Sequence, residues 1–365
     1  MPAVFEGHKV KFLRLEYPEP VKWAGHMEAH MDVVLLTLYA GGAKGVAETS
    51  VRLKWHSASV RSFIATMEDV FIPLLAGVDL ADAEVTSAAL SRVREHPLIR
   101  SLIDMACWDL RASLSETPLW RFLGAGDAAV PVSFTITRAK PQFMAERAAM
   151  AVEKFGVRAF KIKTGQTLEL DTIAVRYIRE AVGDDVELFA DSNSSYRRED
   201  VSAISGMLAD YGVRYFEDPC PFAPTHAFRE LMSECKLPIL VDDGCRSLRD
   251  SDLFVEAGAQ ALSVKTMKTG ISESLAIAKR AAAADCKVSV GISAVSSLGA
   301  ILALSLATAL PGSVKRIPCE ETFFLVSGGY LTEELIIRNG CVELPNATTL
   351  SEVLDWDRVR ALEPT

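Results

Sequence analysis

The sequence predicts an α/β protein: a closed parallel β/α barrel preceded by an α+β unit. Three observations lead there. About eight short apolar runs recur between Val130 and Pro318, roughly 25 residues apart, with polar or helix-patterned segments between most of them. The chain before them reads as strands and then helices. Five successive runs end in charged residues, where parallel barrels carry their chemistry.

The elements follow in order. Residues 9–17 and 32–40 are strand-like, and Gly41-Gly42 turns the second of them into a hairpin with 45–50. Helical periodicity covers 58–70, 81–95 and 98–113. The barrel runs are 130–136, 159–163, 187–191, 215–217, 239–242, 261–265, 288–291 and 316–318. Residues 272–284 form a crossover helix with Ser272 as its expected N-cap. A strand-like tail over 335–344, turned at Asn339-Gly340, is expected to pack back on the first unit. This divides the chain into an α+β unit (1–129), a barrel (130–320) and a C-terminal segment (321–365).

Composition removes several function classes. With 39 basic against 48 acidic side chains the net charge is −9. No basic cluster offsets it, so neither nucleic acid nor an anionic membrane is an expected partner. The most apolar stretch, 298–310, is Ala/Ser-rich and too short to span a bilayer. The first residues show no basic or apolar leader pattern. Seven cysteines without a C-x-x-C pair suit reduced thiols, and a cytoplasmic location is expected.

The charged strand ends are Lys161 and Lys163 on the second strand, Asp191 with Asn193 on the third, Glu217-Asp218-Pro219 on the fourth, Asp242-Asp243 on the fifth, and Lys265 with Lys268 on the sixth. Carboxylates gathered at a barrel mouth repel one another and raise each other's pKa; a hard dication relieves this. Asp191, Glu217 and Asp242 are the natural ligands. Residues two apart share a strand face, so Lys161 and Lys163 point inward together. An ammonium that is desolvated beside a dication is expected to have a lowered pKa and to act as a base. Taken singly, a Lys or Asp at a strand end is more often a surface charge or a salt-bridge partner than a catalyst. Lys161 and Asp243 suit ion pairing, and Asn193 an Asx turn.

These motifs, Lys161-x-Lys163, Asp191-x-Asn193, Glu217-Asp218-Pro219, Asp242-Asp243 and Lys265-x-x-Lys268-x-Gly270, resemble the enolase superfamily, and within it the muconate-lactonizing-enzyme subgroup. The stretch Asp104 to Leu110 (DMACWDL), then Pro118-Leu-Trp and Leu123-Gly124, is similar to that family's helix signature before the barrel. The resemblance implies an α+β capping domain over a modified (β/α)7β TIM barrel. It implies Mg²⁺-dependent removal of the proton α to a carboxylate through a metal-stabilised enediolate, with Mn²⁺ as an alternative ion. Lys163 and Lys265 would be the acid/base pair, and Asp191, Glu217 and Asp242 the metal ligands. The strand-eight Asp-x-Asp of many dipeptide epimerases is replaced by Cys319-Glu320-Glu321-Thr322.

Two lysines on opposite faces of an enediolate suit racemisation or epimerisation. Dehydration or cycloisomerisation uses the same apparatus with one proton-transferring lysine. A barrel without activity, serving as a binding or structural protein, is the alternative of a different class. None of the six histidines ends a predicted barrel strand, which disfavours the mandelate-racemase type of base. The cap loops 19–30 and 50–56 carry Lys22, Trp23, His26, Arg52, Lys54, Trp55 and His56. With Phe323 and Phe324 they could form a lid over a small carboxylate such as an amino-acid derivative. Lys161, Asn193, Asp243, Lys268, Trp23, Trp55 and Phe323 are the candidate supporting or substrate-binding residues. A homo-oligomer is expected.

Overall fold

The computed structural model describes residues 2–364 apart from 24, 25, 315, 316, 327 and 328; the side chains of Lys22, Trp23, His26 and Lys54 also lie outside the description. The N-terminal sheet is antiparallel, in the order β1 (Phe5–Trp23), β2 (His26–Ala40), β3 (Ala43–Ser50). Gly41 and Gly42, at φ 58° and 73°, make the β2–β3 turn, as their composition predicts. The segments 19–23 and 26–30, expected as parts of a loop, instead extend the β1–β2 hairpin, and its register shifts between Glu16 and Val21. Pro18 and Pro20 lie in that shift. Proline has no N–H to give a ladder, so pairing slips there and resumes beyond it.

Helices Val60–Thr66, Ala83–Leu90 and Pro97–Leu114 follow the sheet. They are shorter than the predicted spans, except the last. Gly45 lets β3 approach the long helix: a Cβ there would lie 2.0 Å from the carbonyl oxygen of Ala106.

The barrel strands are β4 (Ala129–Ile136), β5 (Ala159–Lys163), β6 (Glu187–Asp191), β7 (Val213–Glu217), β8 (Ile239–Val241), β9 (Ala261–Val264), β10 (Lys287–Val290) and β11 (Cys319–Glu321). They pair in parallel in sequence order, and β11 returns to pair with β4. A helix follows each of the first seven, which makes a (β/α)7β barrel. The last strand begins at Cys319 rather than in 316–318. The expected run is too short to show its own register, and Arg316 lies outside the described residues. The helix Ser297–Ala309, the most apolar stretch of the chain, is buried on nearly every side. All-round hydrophobicity here reflects packing between barrel and cap.

The tail hairpin β12 (Ile337–Arg338) and β13 (Cys341–Glu343) turns at Asn339 and Gly340, both at positive φ. It pairs with the N-terminal end of β4, a barrel strand, and not with the first unit. Residues on either side of it reach the N-terminal sheet: the Tyr330 hydroxyl donates to Glu48, and Arg14 N–H donates to the Leu362 carbonyl.

Three buried carboxylates join these parts. Asp104 accepts the N–H groups of Ile271 and Ser272 at 2.7 and 2.9 Å, so it caps the helix Ser272–Ala283 from another domain. Ser272 is therefore the first helical residue and not the N-cap. Asp109 accepts from Val46 N–H, Leu350 N–H and the Thr349 hydroxyl. Glu48 accepts from Ser296 N–H, the Ser296 hydroxyl and the Tyr330 hydroxyl.

Candidate active site

The ladder itself assembles the reactive groups. Lys163 is the register partner of Asp191, and Asp191 of Glu217, so three charged ends stand side by side. The alternation of β5 turns Lys161 and Lys163 into the barrel mouth and leaves Phe160 and Ile162 in the core. Lys265 stands at the end of β9. Strands β5 and β9 are the second and sixth of eight, so Lys163 and Lys265 rise from opposite walls.

Lys161 is a buried hub. Its Nζ lies 2.8 Å from Glu217 Oε1, 2.8 Å from Glu320 Oε2 and 3.2 Å from Asp191 Oδ2. Lys163 Nζ lies 2.5 Å from Asp191 Oδ2. Across the mouth, Lys265 Nζ lies 2.5 Å from Asp242 Oδ2 and Lys268 Nζ 2.8 Å from Asp242 Oδ1. Lys268 also donates to the Asp242 carbonyl at 2.6 Å, which fixes that backbone.

The electrostatics follow from burial and these pairs. For Asp191, burial acts to raise the pKa, but Lys163 and Lys161 outweigh it and hold the group below the usual carboxylate range. Asp242 is lowered in the same way by Lys265 and Lys268. Glu217 goes the other way: burial, and then the charge of Asp191, push it well above its ordinary value. Burial acts to lower Lys265, yet Asp242 outweighs it and the pKa rises. The expected lowering belongs to a lysine beside a bound dication; the raised value here reflects the direct contact with Asp242.

Asp218, at φ 39°, accepts the N–H groups of Asp242 and Asp243 at 3.0 and 2.8 Å. Both of its oxygens are thus committed to shaping the end of β8. Asn193 N–H donates to Asp191 Oδ1 at 2.8 Å and its side chain to Oδ2 at 3.2 Å, an Asx-type turn that orients the carboxylate. Asp218, Asp242 and Asp243 bring carboxylate oxygens within 4.8 Å of one another. Asp191, Glu217 and Asp242 offer an all-oxygen, carboxylate-rich donor set of the kind hard dications prefer. Glu217 is raised first by burial and then by the charge of Asp191, its neighbour in the ladder. The residues therefore fit a dication such as Mg²⁺.

A cavity of about 540 Å³ opens above this cluster. Lys163, Asn193, Asp242, Asp243, Lys265 and Lys268 line its floor. The cap closes it with Arg52, Trp55, His56 and Phe63 and with a second segment, 96–99. Trp55 stacks on the Arg52 guanidinium, 5.2 Å from ring centroid to Cζ. Phe323 is buried in edge contact with Phe324 and is not among the lining residues; its neighbour Thr322 is. The side chain of Trp23 lies outside the described residues.

Sequence reasoning missed the segment 96–99, Arg246 and the inward role of Glu320. Glu320 accepts from Lys161, the Thr135 hydroxyl at 3.1 Å and Ile292 N–H at 3.2 Å. Placing the eighth strand three residues later would have revealed it as one more charged strand end.

Residues 9–124 match the model for the mandelate racemase / muconate lactonizing enzyme N-terminal domain, and 143–358 that for the enolase C-terminal domain-like family. A hydrophobic dipeptide epimerase of Enterococcus faecalis is 30% identical over 243 residues, 65% of this chain and 68% of the relative. A muconate lactonizing enzyme of Mycobacterium smegmatis, solved with muconolactone, superposes at TM-score 0.92 and 25% identity over 100% of both chains. A dipeptide epimerase of Cytophaga hutchinsonii, solved with Mg and D-Ala-L-Val, shares the fold at TM-score 0.83 and 23% identity, covering 95% of this chain and 94% of that one. The ordered lysines and carboxylates at the barrel mouth thus stand within a chain matched along most of its length, and the chain belongs to the muconate-lactonizing-enzyme subgroup of the enolase superfamily, as an isomerase of that superfamily.

Proposed function

We propose that the chain racemises or epimerises a small carboxylate, an amino-acid derivative, by removing and returning the proton on the carbon α to the carboxylate. The observation that carries this reading is the placement of Lys163 and Lys265 on opposite walls of one cavity. A substrate between them presents one face of its α-carbon to each ammonium or amine. One lysine, neutral, takes the proton; the other, charged, returns one to the far face, and the configuration inverts. Lys161 stays buried among Glu217, Glu320 and Asp191 and holds the carboxylates in place. Lys268 and Asp218 fix Asp242.

Asp191, Glu217 and Asp242 would hold Mg²⁺, or Mn²⁺. Bound there, the ion would draw electron density from the substrate carboxylate and offset the charge of Asp242, the group that keeps Lys265 protonated. The relatives' Mg and dipeptide support this reading. The test is α-proton exchange in D₂O, followed by NMR on a panel of N-substituted amino acids, with calorimetric titration of Mg²⁺. Exchange that stops in EDTA, with loss of both exchange and Mg²⁺ binding in Glu217→Gln and Asp242→Asn, is the expected result. Full exchange in excess EDTA overturns the metal assignment. Turnover that needs only one of the two lysines points to elimination or cycloisomerisation.

A further inference from the structure

We propose that Glu48 and Ser50, both buried in the cap, are positioning residues for Lys265. They hold the loop 291–296 that backs the lysine stem, so the cap sets proton transfer on one face of the substrate. The inference rests on the racemase reading of the same cavity.

The loop joins β10 to the helix Ser297–Ala309, and Ile292, Ser293 and Ala294 line the cavity together with Lys265. Its start lies directly against that lysine. A Cβ at Gly291 would stand 2.9 Å from Lys265 Cε and 2.7 Å from Ser263 Oγ. A shift of this backbone therefore displaces the stem that carries Nζ. The loop is not a relaxed turn. Ala294 is buried at φ 48°, a left-handed conformation that an L side chain keeps only where its surroundings enforce it.

That enforcement comes from two directions. From the barrel, Gly291 N–H donates to the Val264 carbonyl at 2.9 Å and Ile292 N–H to Glu320 at 3.2 Å. From the cap, β3 presents Glu48 and Ser50, two apart and so on one strand face, to the rest of the loop. The Ser50 hydroxyl donates to the Ser293 carbonyl at 3.1 Å and stands 3.9 Å from Met267 Sδ, just beyond Lys265 in the chain. Glu48 accepts Ser296 N–H at 2.9 Å and the Ser296 hydroxyl at 2.6 Å. The following helix packs onto the same carboxylate: a Cβ at Gly299 would lie 2.5 Å from Glu48 Oε1. These are hydrogen bonds and contacts, so Glu48 acts on Lys265 by placing the loop. The charges that act on that lysine are led by Asp242. Lys163 rises from the opposite wall, where Asp191 holds it. The cap contact therefore bears on one lysine of the pair.

The experiment reads the two lysines separately. In ¹H–¹⁵N spectra of the lysine side chains, Glu48→Ala and Ser50→Ala should move the Nζ signal of Lys265 and leave that of Lys163 in place. Each signal is assigned by its loss in the corresponding Lys→Ala variant. The second arm follows α-proton exchange in D₂O with Mg²⁺, on racemic N-acetylleucine or the panel member that exchanges faster. Glu48→Ala added to Lys163→Ala should slow the remaining exchange, which Lys265 carries, about tenfold, the scale of a sub-ångström misplacement of a reacting group. Added to Lys265→Ala, it should leave the exchange carried by Lys163 nearly unchanged. Ser50→Ala should act in the same direction with a smaller effect. Glu48→Gln, whose carbonyl keeps the bond from Ser296 N–H, should behave like the unaltered protein. If Glu48→Ala does not fold, Ser50→Ala decides by the same two measurements. An unmoved Lys265 signal, or equal slowing on both faces, overturns the proposal. A moved Lys265 signal, in a protein that exchanges no carboxylate at all, removes the racemase reading and leaves the positioning standing.

Discussion

Buried carboxylates occur in two regions of this molecule, and they are neutralised by opposite means. At the barrel mouth Asp191, Asp242 and Glu320 lie against lysines, which hold all three below their ordinary pKa. Where the cap meets the barrel and the tail, Glu48 and Asp109 are as buried but meet only N–H groups and hydroxyls. Burial pushes each up to about 7. The difference teaches what each cluster is for. Ammonium groups beside carboxylates keep charge available for chemistry. Amides and hydroxyls arranged around an acid hold chain segments together without needing its charge.

The largest effect should come from breaking the mouth. Lys163→Ala and Lys265→Ala should each lower turnover by about 10²–10⁴-fold while the protein stays folded. In D₂O each variant should keep α-proton exchange from one face only, and the double variant should exchange nothing. Lys→Arg should fail as well, since a guanidinium does not give up its proton near neutral pH. Near-normal racemisation by either variant would remove that lysine from the mechanism.

Breaking the interface should do the reverse. Asp109→Ala strands Val46 N–H, Leu350 N–H and the Thr349 hydroxyl. We expect a loss on the order of 3 kcal/mol in chemical unfolding, with metal binding retained by the fraction that remains folded. An unchanged unfolding midpoint would show that the tail is held by other contacts.

The two regions should also differ in pH dependence. A carboxyl whose folded pKa is raised binds its proton more tightly in the folded state. Its contribution is complete below the unfolded value and is lost as pH rises. For Glu48 that window runs from 4.5 to about 7, with a size on the order of 3 kcal/mol. Asp191 and Asp242, with lowered values, contribute above the ordinary carboxylate range and lose it as pH falls. Denaturation of Glu48→Gln at pH 5 and pH 8 should therefore show a smaller fall in stability with rising pH than the unaltered protein. An identical fall in both would exclude Glu48 as its source.

The smallest effect tests the third joining acid. Gly270 has φ 62°, and a Cβ there would lie 2.5 Å from Asp104 Oδ2. Gly270→Ala should cost about 1–3 kcal/mol, from backbone strain and the displaced cap. A wild-type melting temperature would mean that Asp104 can move aside freely.

Much of this was legible in the sequence for identifiable reasons. Strands β5 and β6 match their predicted bounds because each is a short β-prone run with a charged end. Strand β11 was misplaced because Glu320 and Glu321 are both buried, and a buried acid looks like a loop residue in a hydropathy pattern. The segment 19–30 was read as a loop, whereas Pro18 and Pro20 shift the register of a long hairpin without ending it. Ser272 was assigned as a cap because no local pattern shows that Asp104, far away in the chain, already holds those amides.

By itself the sequence determined the barrel, the order base-acid-acid-acid-base along its strand ends, and the inward direction of Lys161 and Lys163. These follow from period-2 alternation and the spacing of β/α units, which are local properties. Only the tertiary structure decided that Asp242 grips Lys265, and that Asp218 holds the end of β8 rather than facing the cavity. Both depend on which charges and amides come within hydrogen-bonding distance across 23 and 24 residues of chain, and Coulomb and desolvation energies are set by that distance and burial and not by position in the sequence.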